Sequence, residues 1–291
     1  MADDDVYERF QCSGDFWSQY RINVVYVDNG NLLLGCARCL SFMMFLGFQS
    51  YNRILLNRKQ ANNVNIIKGL ILPSYLPFIY FYMLFSFITG LIDLINQTTY
   101  ASAEFDSWVY PIEIGITHWF LEGLAVFLMR YGAGVQAIRR SLRISFLWGL
   151  FTALWFIIVF SMLYARFPDK KDDKEATYGM FIAYEIVLLI FYTAYALIPA
   201  KHLYHRPALT FYARFSAFYT FVVIIFGTLY YKGVYQIICP GSVIAFIFAA
   251  FLEPLAIFKT LQIDSQYWQG LSPEQGNPLT EVWDHLGIET A

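Results

Sequence analysis

Charge is scarce in this sequence. Only 14% of its 291 residues are Asp, Glu, Lys or Arg, against ~25% in soluble domains. That shortage excludes an ordinary solvated surface over most of the chain. The net charge is −2 and no basic domain is present, so a nucleic-acid partner is not expected. Four cysteines are too few for a disulfide framework. Of four histidines, His118, His202, His205 and His285, only His118 falls in an apolar stretch. A membrane zinc hydrolase needs about three His or Cys ligands and an open position, so neither a metal site nor an enzyme is expected, and no catalytic residue or cofactor is assigned. Retinal would need a lysine near the middle of the last apolar stretch, which has only Lys259 at its end. The start, Met1-Ala2-Asp3-Asp4-Asp5, is the reverse of a positive signal-peptide n-region.

Apolar residues fill the space that charge leaves. They make up 58% of the chain, with 28 Phe and 22 Tyr, and the mean hydropathy is +0.46. A bilayer core needs roughly 20 apolar residues per helix. Seven segments meet that need, at 32–56, 70–95, 110–131, 144–166, 178–199, 209–231 and 239–259. Phe146 to Tyr164 contains no charge at all. Period-two alternation is absent, which argues against a β-barrel, and lipid forbids unpaired backbone. The expected fold is therefore all-α, a polytopic seven-transmembrane-helix bundle. It divides into an acidic N-terminal tail (1–31), a helical domain (32–259) and a short acidic tail (260–291), with Tyr267-Trp268 as an interfacial anchor.

Lys and Arg in short loops set orientation. The loops after the first, third and fifth segments carry eleven of them, and those after the second, fourth and sixth carry five. This places the N-terminus outside or in a lumen and the C-terminus in the cytosol, in a plasma membrane or an endomembrane. Asn96-Gln97-Thr98 is a glycosylation sequon on the expected outer side. Cys12 and Cys239 share that side, where a disulfide is permitted.

The ionisable residues inside the apolar segments carry the functional question. At the bilayer centre such a group costs at least ~2.5–3.5 kcal/mol. Glu113, His118 and Glu122 lie in the third segment, Glu185 in the fifth and Glu253 in the seventh. His118 and Glu122 are four apart and share a helix face. By estimated depth, Glu113 and Glu185 belong to the outer half, His118 and Glu122 to the middle, and Glu253 to the cytosolic half. The expected arrangement is an outer pocket formed by Glu113, His118, Glu122 and Glu185. A separate cytosolic hinge is expected at Glu253-Pro254, with Pro73 and Pro77 bending the second segment on the same side. Arg38 is expected to snorkel outward or to pair with Asp93. Arg130 is a candidate partner contact, although Met129 before it offers no acid to lock it. With no Asn-Pro-x-x-Tyr in the last segment, the chain lies outside the rhodopsin-like class.

Three stretches together resemble the transmembrane protein adipocyte-associated 1 family. One runs from Glu113-Ile114 through Phe120-Leu121-Glu122 to Arg139-Arg140-Ser141-Leu142. The second is Tyr195-Ala196-Leu197-Ile198-Pro199, followed by a basic loop and Phe211-Tyr212. The third is Phe251, Pro254 and Leu255, where Glu253 departs from the family pattern. The resemblance spans roughly residues 32 to 260. It implies a seven-pass protein of candidate G-protein-coupled-receptor type and supplies no catalytic residues. The expected function is thus receptor-like signalling, with an unidentified small ligand in the bundle and a cytosolic G protein at the basic loops. The alternatives are a proton-coupled or small-solute carrier using the intramembrane carboxylates, and a non-catalytic scaffold in which the acids only fix packing.

Overall fold

The computed structural model describes residues 20–22, 25–27, 29–62, 70–98, 103–129, 134–166, 170–197, 207–231 and 238–268. Cys12 and Arg130 lie outside them, as do the side chains of Asn96, Glu113 and Cys239. Helix accounts for nearly all of the described chain. A small antiparallel hairpin, β1 (Tyr20–Ile22) with β2 (Val25–Val27), pairs Arg21 with Tyr26. The helices are α1 (Asn29–Asn62), α2 (Leu76–Thr98), α3 (Ala103–Met129), α4 (Gly134–Arg166), α5 (Lys170–Leu197), α6 (Pro207–Tyr231), α7 (Ile238–Ile247) and α8 (Glu253–Trp268). Between α7 and α8 a π-helical turn, Phe248–Leu252, keeps the helix continuous.

Four stretches are long and apolar enough to cross a membrane: Arg139–Leu163, Gly179–Leu197, Pro207–Leu229 and Val243–Trp268. Leu76–Ile92 and Gly115–Met129 are shorter apolar helices. Large apolar side chains face outward as well as inward, unlike those of a soluble protein. Leu147, Phe151, Trp155, Ile158 and Met162 of α4 point outward, as do Val187 and Ile190 of α5. Arg38, Glu122, Glu185, Glu253 and Asp264 are buried.

Between lipid-embedded helices there is no hydrophobic driving force, so close packing and polar ties hold the assembly. Neighbours in sequence pack as pairs, α1 with α2, α3 with α4 and α5 with α6, and α1 also packs on the π turn. Aromatic rings fill the centre. Phe78 stacks on Phe146 at 5.2 Å, Tyr82 meets Phe120 edge-on at 4.8 Å, and Phe48 stacks on Phe258 at 4.1 Å. Glycines let α3 and α4 approach almost backbone to backbone. A Cβ on Gly123 would lie 3.0 Å from the Ser145 carbonyl oxygen, and one on Gly149 would overlap the Trp119 indole and carbonyl. The Trp119 indole N–H also donates to the Phe146 carbonyl at 3.1 Å.

Several boundaries differ from the sequence reading. The second segment does not start as helix at 70. Residues 70–72 are not helical, Pro73–Tyr75 form a 3-10 turn, and α2 begins at Leu76. Pro73 therefore opens the 3-10 turn and Pro77 lies in the first turn of α2, where a missing N–H is harmless, and neither interrupts the body of a helix. The buried non-helical backbone needs partners. Asn52 supplies two, accepting from Ile71 N–H at 2.8 Å and donating to its carbonyl at 3.2 Å, and Ser265 Oγ accepts from Leu72 N–H at 3.0 Å. Asn96 falls in the last turn of α2, which runs to Thr98, and not in a loop. The last helix continues past residue 259 to Trp268. Asp264, read from sequence as part of a solvated acidic tail, is fully buried and accepts a 2.6 Å bond from the Tyr75 hydroxyl.

Gly149→Ala should lower stability by ~1–3 kcal/mol, the usual cost of overpacking a tight contact. Nothing lies within 4 Å of a Cβ on Gly47 in α1, so Gly47→Ala should be neutral or stabilise by roughly 0.5–1 kcal/mol. Thermal unfolding of the two variants in detergent measures the difference.

Candidate functional site

Helical spacing sets the first part of the site. His118 and Glu122 on α3 lie one turn apart on the same face, with the imidazole Nδ1 3.4 Å from Glu122 Oε1. The other ring nitrogen, Nε2, lies 3.6 Å from Glu185 Oε1 on α5. The imidazole thus sits between two carboxylates carried by different helices. Its plane is fixed by stacking on Phe156 of α4, with centroids 4.5 Å apart and planes 3° from parallel. Tyr184 closes the edge at 5.0 Å and 90°, and its hydroxyl donates to Glu122 Oε1. Thr220 of α6 lines the same cavity as Glu185.

A second charged tie crosses the bundle. Arg38 Nη1 of α1 lies 3.2 Å from Glu253 Oε2, the first residue of α8, and both are buried. The Arg38 guanidinium also rests over the Phe85 ring of α2 at 5.2 Å. Tyr82 of α2 bonds with Ser41 and faces the Glu253 carboxylate. Glu253 owes its position to the π turn. Pro254 has no N–H, and its ring would collide with the carbonyl four residues earlier in a regular helix. The chain widens just before it, and the Glu253 N–H bonds to the Phe248 carbonyl five residues back. Such turns recur at functional sites.

These residues surround one cavity. His118, Glu122, Glu185, Tyr192, Ser216, Thr220 and Glu253 line it. The space open to water-sized molecules is about 20 Å³, room for one or two waters. The chemistry available is therefore that of small polar occupants among ionisable groups. Among the described residues no three or more His, Cys, Asp or Glu are grouped to hold a metal ion.

The sequence reading separated Glu253 from the other acids by depth. The structure corrects this, because Glu253 shares the cavity wall with Glu122 and Glu185. The estimate of depth failed because the last helix runs to Trp268, which moves Glu253 from near its end to near its middle. Arg38 was expected at the outer surface or beside Asp93 and is instead buried against Glu253. Tyr184, Ser216 and Thr220 were not singled out. The spacing of Ser216 and Thr220, one turn apart on α6, was the available signal, but hydroxyls in apolar helices usually bond their own backbone.

The fold and site together define a class: a helical protein with membrane-length apolar helices and a charged, water-sized cavity among them. Comparison of the chain with protein-family models, curated proteins and solved structures gives no match.

Arg38→Met should cost ~3–5 kcal/mol, because it leaves the Glu253 carboxylate buried without its counter-charge. Glu253→Met should also be destabilising, because it removes the carboxylate that pairs with the buried Arg38 guanidinium. The double variant should recover most of either loss, since apolar replacement of a whole buried pair is often neutral. A double-mutant cycle on thermal unfolding in detergent checks this, and strictly additive losses would contradict the pairing.

Proposed function

We propose that this chain is a seven-pass, receptor-like membrane protein. Its N-terminus lies outside or in a lumen, its C-terminus lies in the cytosol, and it passes a signal to a G-protein-type partner at its basic loops. The seven passes are α1 to α6 and the continuous α7–α8. The Lys and Arg bias of the loops supports the orientation, and kinship with the transmembrane protein adipocyte-associated 1 family is part of the same proposal. One observation carries the reading. Ionisable side chains from α3, α5 and α8 line one cavity, and Arg38 of α1 is tied to it through its ion pair with Glu253. A change of charge or occupant there alters the balance among four helices at once. A receptor needs such a bistable element, one that its signal can bias.

The Arg38→Met variant tests this without a known ligand, because it removes one of the ties. Reconstituted in nanodiscs, it should change basal nucleotide exchange in at least one G-protein class relative to the wild type. Identical exchange across all classes would sink the receptor reading. The water-sized polar cavity also supports a second reading, a proton-coupled carrier. In that case Glu122→Gln and Glu185→Gln should abolish a proton flux that wild-type protein produces in vesicles. Flux at the level of empty vesicles for every form would remove the carrier.

A further inference from the structure

We propose that His118, Glu122 and Glu185 form a proton-binding site, holding one proton beyond a neutral imidazole and two carboxylates, and that this shared proton ties α3 to α5. The inference deepens the reading of this cavity as the responsive element and names its occupant.

A neutral imidazole has one N–H and one nitrogen lone pair. Here both ring nitrogens face a carboxylate oxygen, at 3.4 Å and 3.6 Å. With both glutamates ionised and the ring neutral, one contact would set a lone pair against a carboxylate. One more proton, taken from water, makes both contacts attractive. It resides on the ring as imidazolium, or on one of the two carboxyls that face the ring. The ring cannot turn away from either partner, because Phe156 stacks on its face and Tyr184 closes its edge.

Charge balance points the same way. Arg38 and Glu253 neutralise each other. Glu122 and Glu185 then leave two negative charges in a buried site, and the proton removes one of them. Water, whose solvation would otherwise offset that charge, has room for only one or two molecules. Among the described residues the other polar groups that line the cavity or neighbour it are hydroxyls. Tyr184 and Tyr192 come from α5, Tyr212, Ser216, Tyr219 and Thr220 from α6, and Tyr82 from α2 on the Glu253 side. From α4 comes Phe156, which does not titrate. Glu253 Oε1, buried on the same cavity wall, has no hydrogen-bond partner among the described residues, so an acceptor stands ready for a water through which the proton exchanges. The two carboxylates face different nitrogens of the imidazole, and among the described residues no three or more His, Cys, Asp or Glu are grouped to hold a metal ion, which favours a proton as the shared particle.

Without that proton the ring has one N–H for two carboxylates, so either the Glu185 contact across α3 and α5 or the Glu122 contact within α3 loses its attraction, and two negative charges remain in the buried site.

The test uses the full chain with His202→Asn, His205→Asn and His285→Asn, leaving His118 as its only histidine. Nitrogen-15 NMR of the protein in nanodiscs reads the imidazole, and infrared spectroscopy reads protonated carboxyls. At neutral pH the expected result is either a doubly protonated ring or a protonated-carboxyl band that Glu122→Gln or Glu185→Gln abolishes. A neutral ring together with fully ionised carboxylates overturns the proposal. The melting temperature should fall as this signal titrates with rising pH, and Glu185→Gln should flatten that dependence. A melting temperature unmoved by the titration overturns the tie. Neither readout involves a G protein, so this proposal and the coupling proposal fail separately.

Discussion

Burying charge where water is scarce constrains everything else in this molecule. An ionised side chain facing lipid is costly, and a buried charge missing its partner is costlier than a pair removed whole. Arg38 and Glu253 therefore oblige α1 and α8 to meet, and His118 obliges α3 and α5 to meet through Glu122 and Glu185. Apolar packing surrounds these ties but does not specify them. Phenylalanines can exchange neighbours at little cost, whereas a guanidinium must find its carboxylate.

The π turn at Phe248–Leu252 serves the same constraint. Pro254 disfavours a regular helix at that point, and the widened turn found there leads into Glu253. A sequence feature that looks like a helix breaker is thus converted into a means of presenting a buried acid. At the other end of the pair α1–α2, Asn52 and Ser265 perform a related task. They supply hydrogen bonds to backbone at 70–72 that no helix satisfies. Tyr75 and Asp264 add a further buried bond, so the last helix is fastened both at its middle and towards its end.

Small residues complement the ionic ties. Gly123 and Gly149 bring α3 and α4 close enough for Trp119 to reach a main-chain carbonyl of α4. That contact holds the α4 face carrying Phe156 against His118. The orientation of the imidazole, and so the chemistry of the cavity, rests on a packing contact on a neighbouring helix.

Much of this architecture was legible in the sequence, because hydropathy is a local property. Helical class and membrane-length apolar segments follow from composition and run length alone. The suspicion attached to His118, Glu122, Glu185 and Glu253 follows from the cost of placing them there. Helix ends were less legible. Pro73 opens a 3-10 turn and Pro77 the first turn of α2, after backbone that is held by Asn52 and Ser265, which are distant in sequence. Asp264 reads as a tail residue until Tyr75 is seen to bury it. The partnership of Arg38 with Glu253 spans 215 positions, and no periodicity reports such a pair. The sequence by itself determined which residues could not face lipid. Only the tertiary structure decided which of them meet, because the partner of a buried charge is chosen by the packing of whole helices and not by its neighbours along the chain.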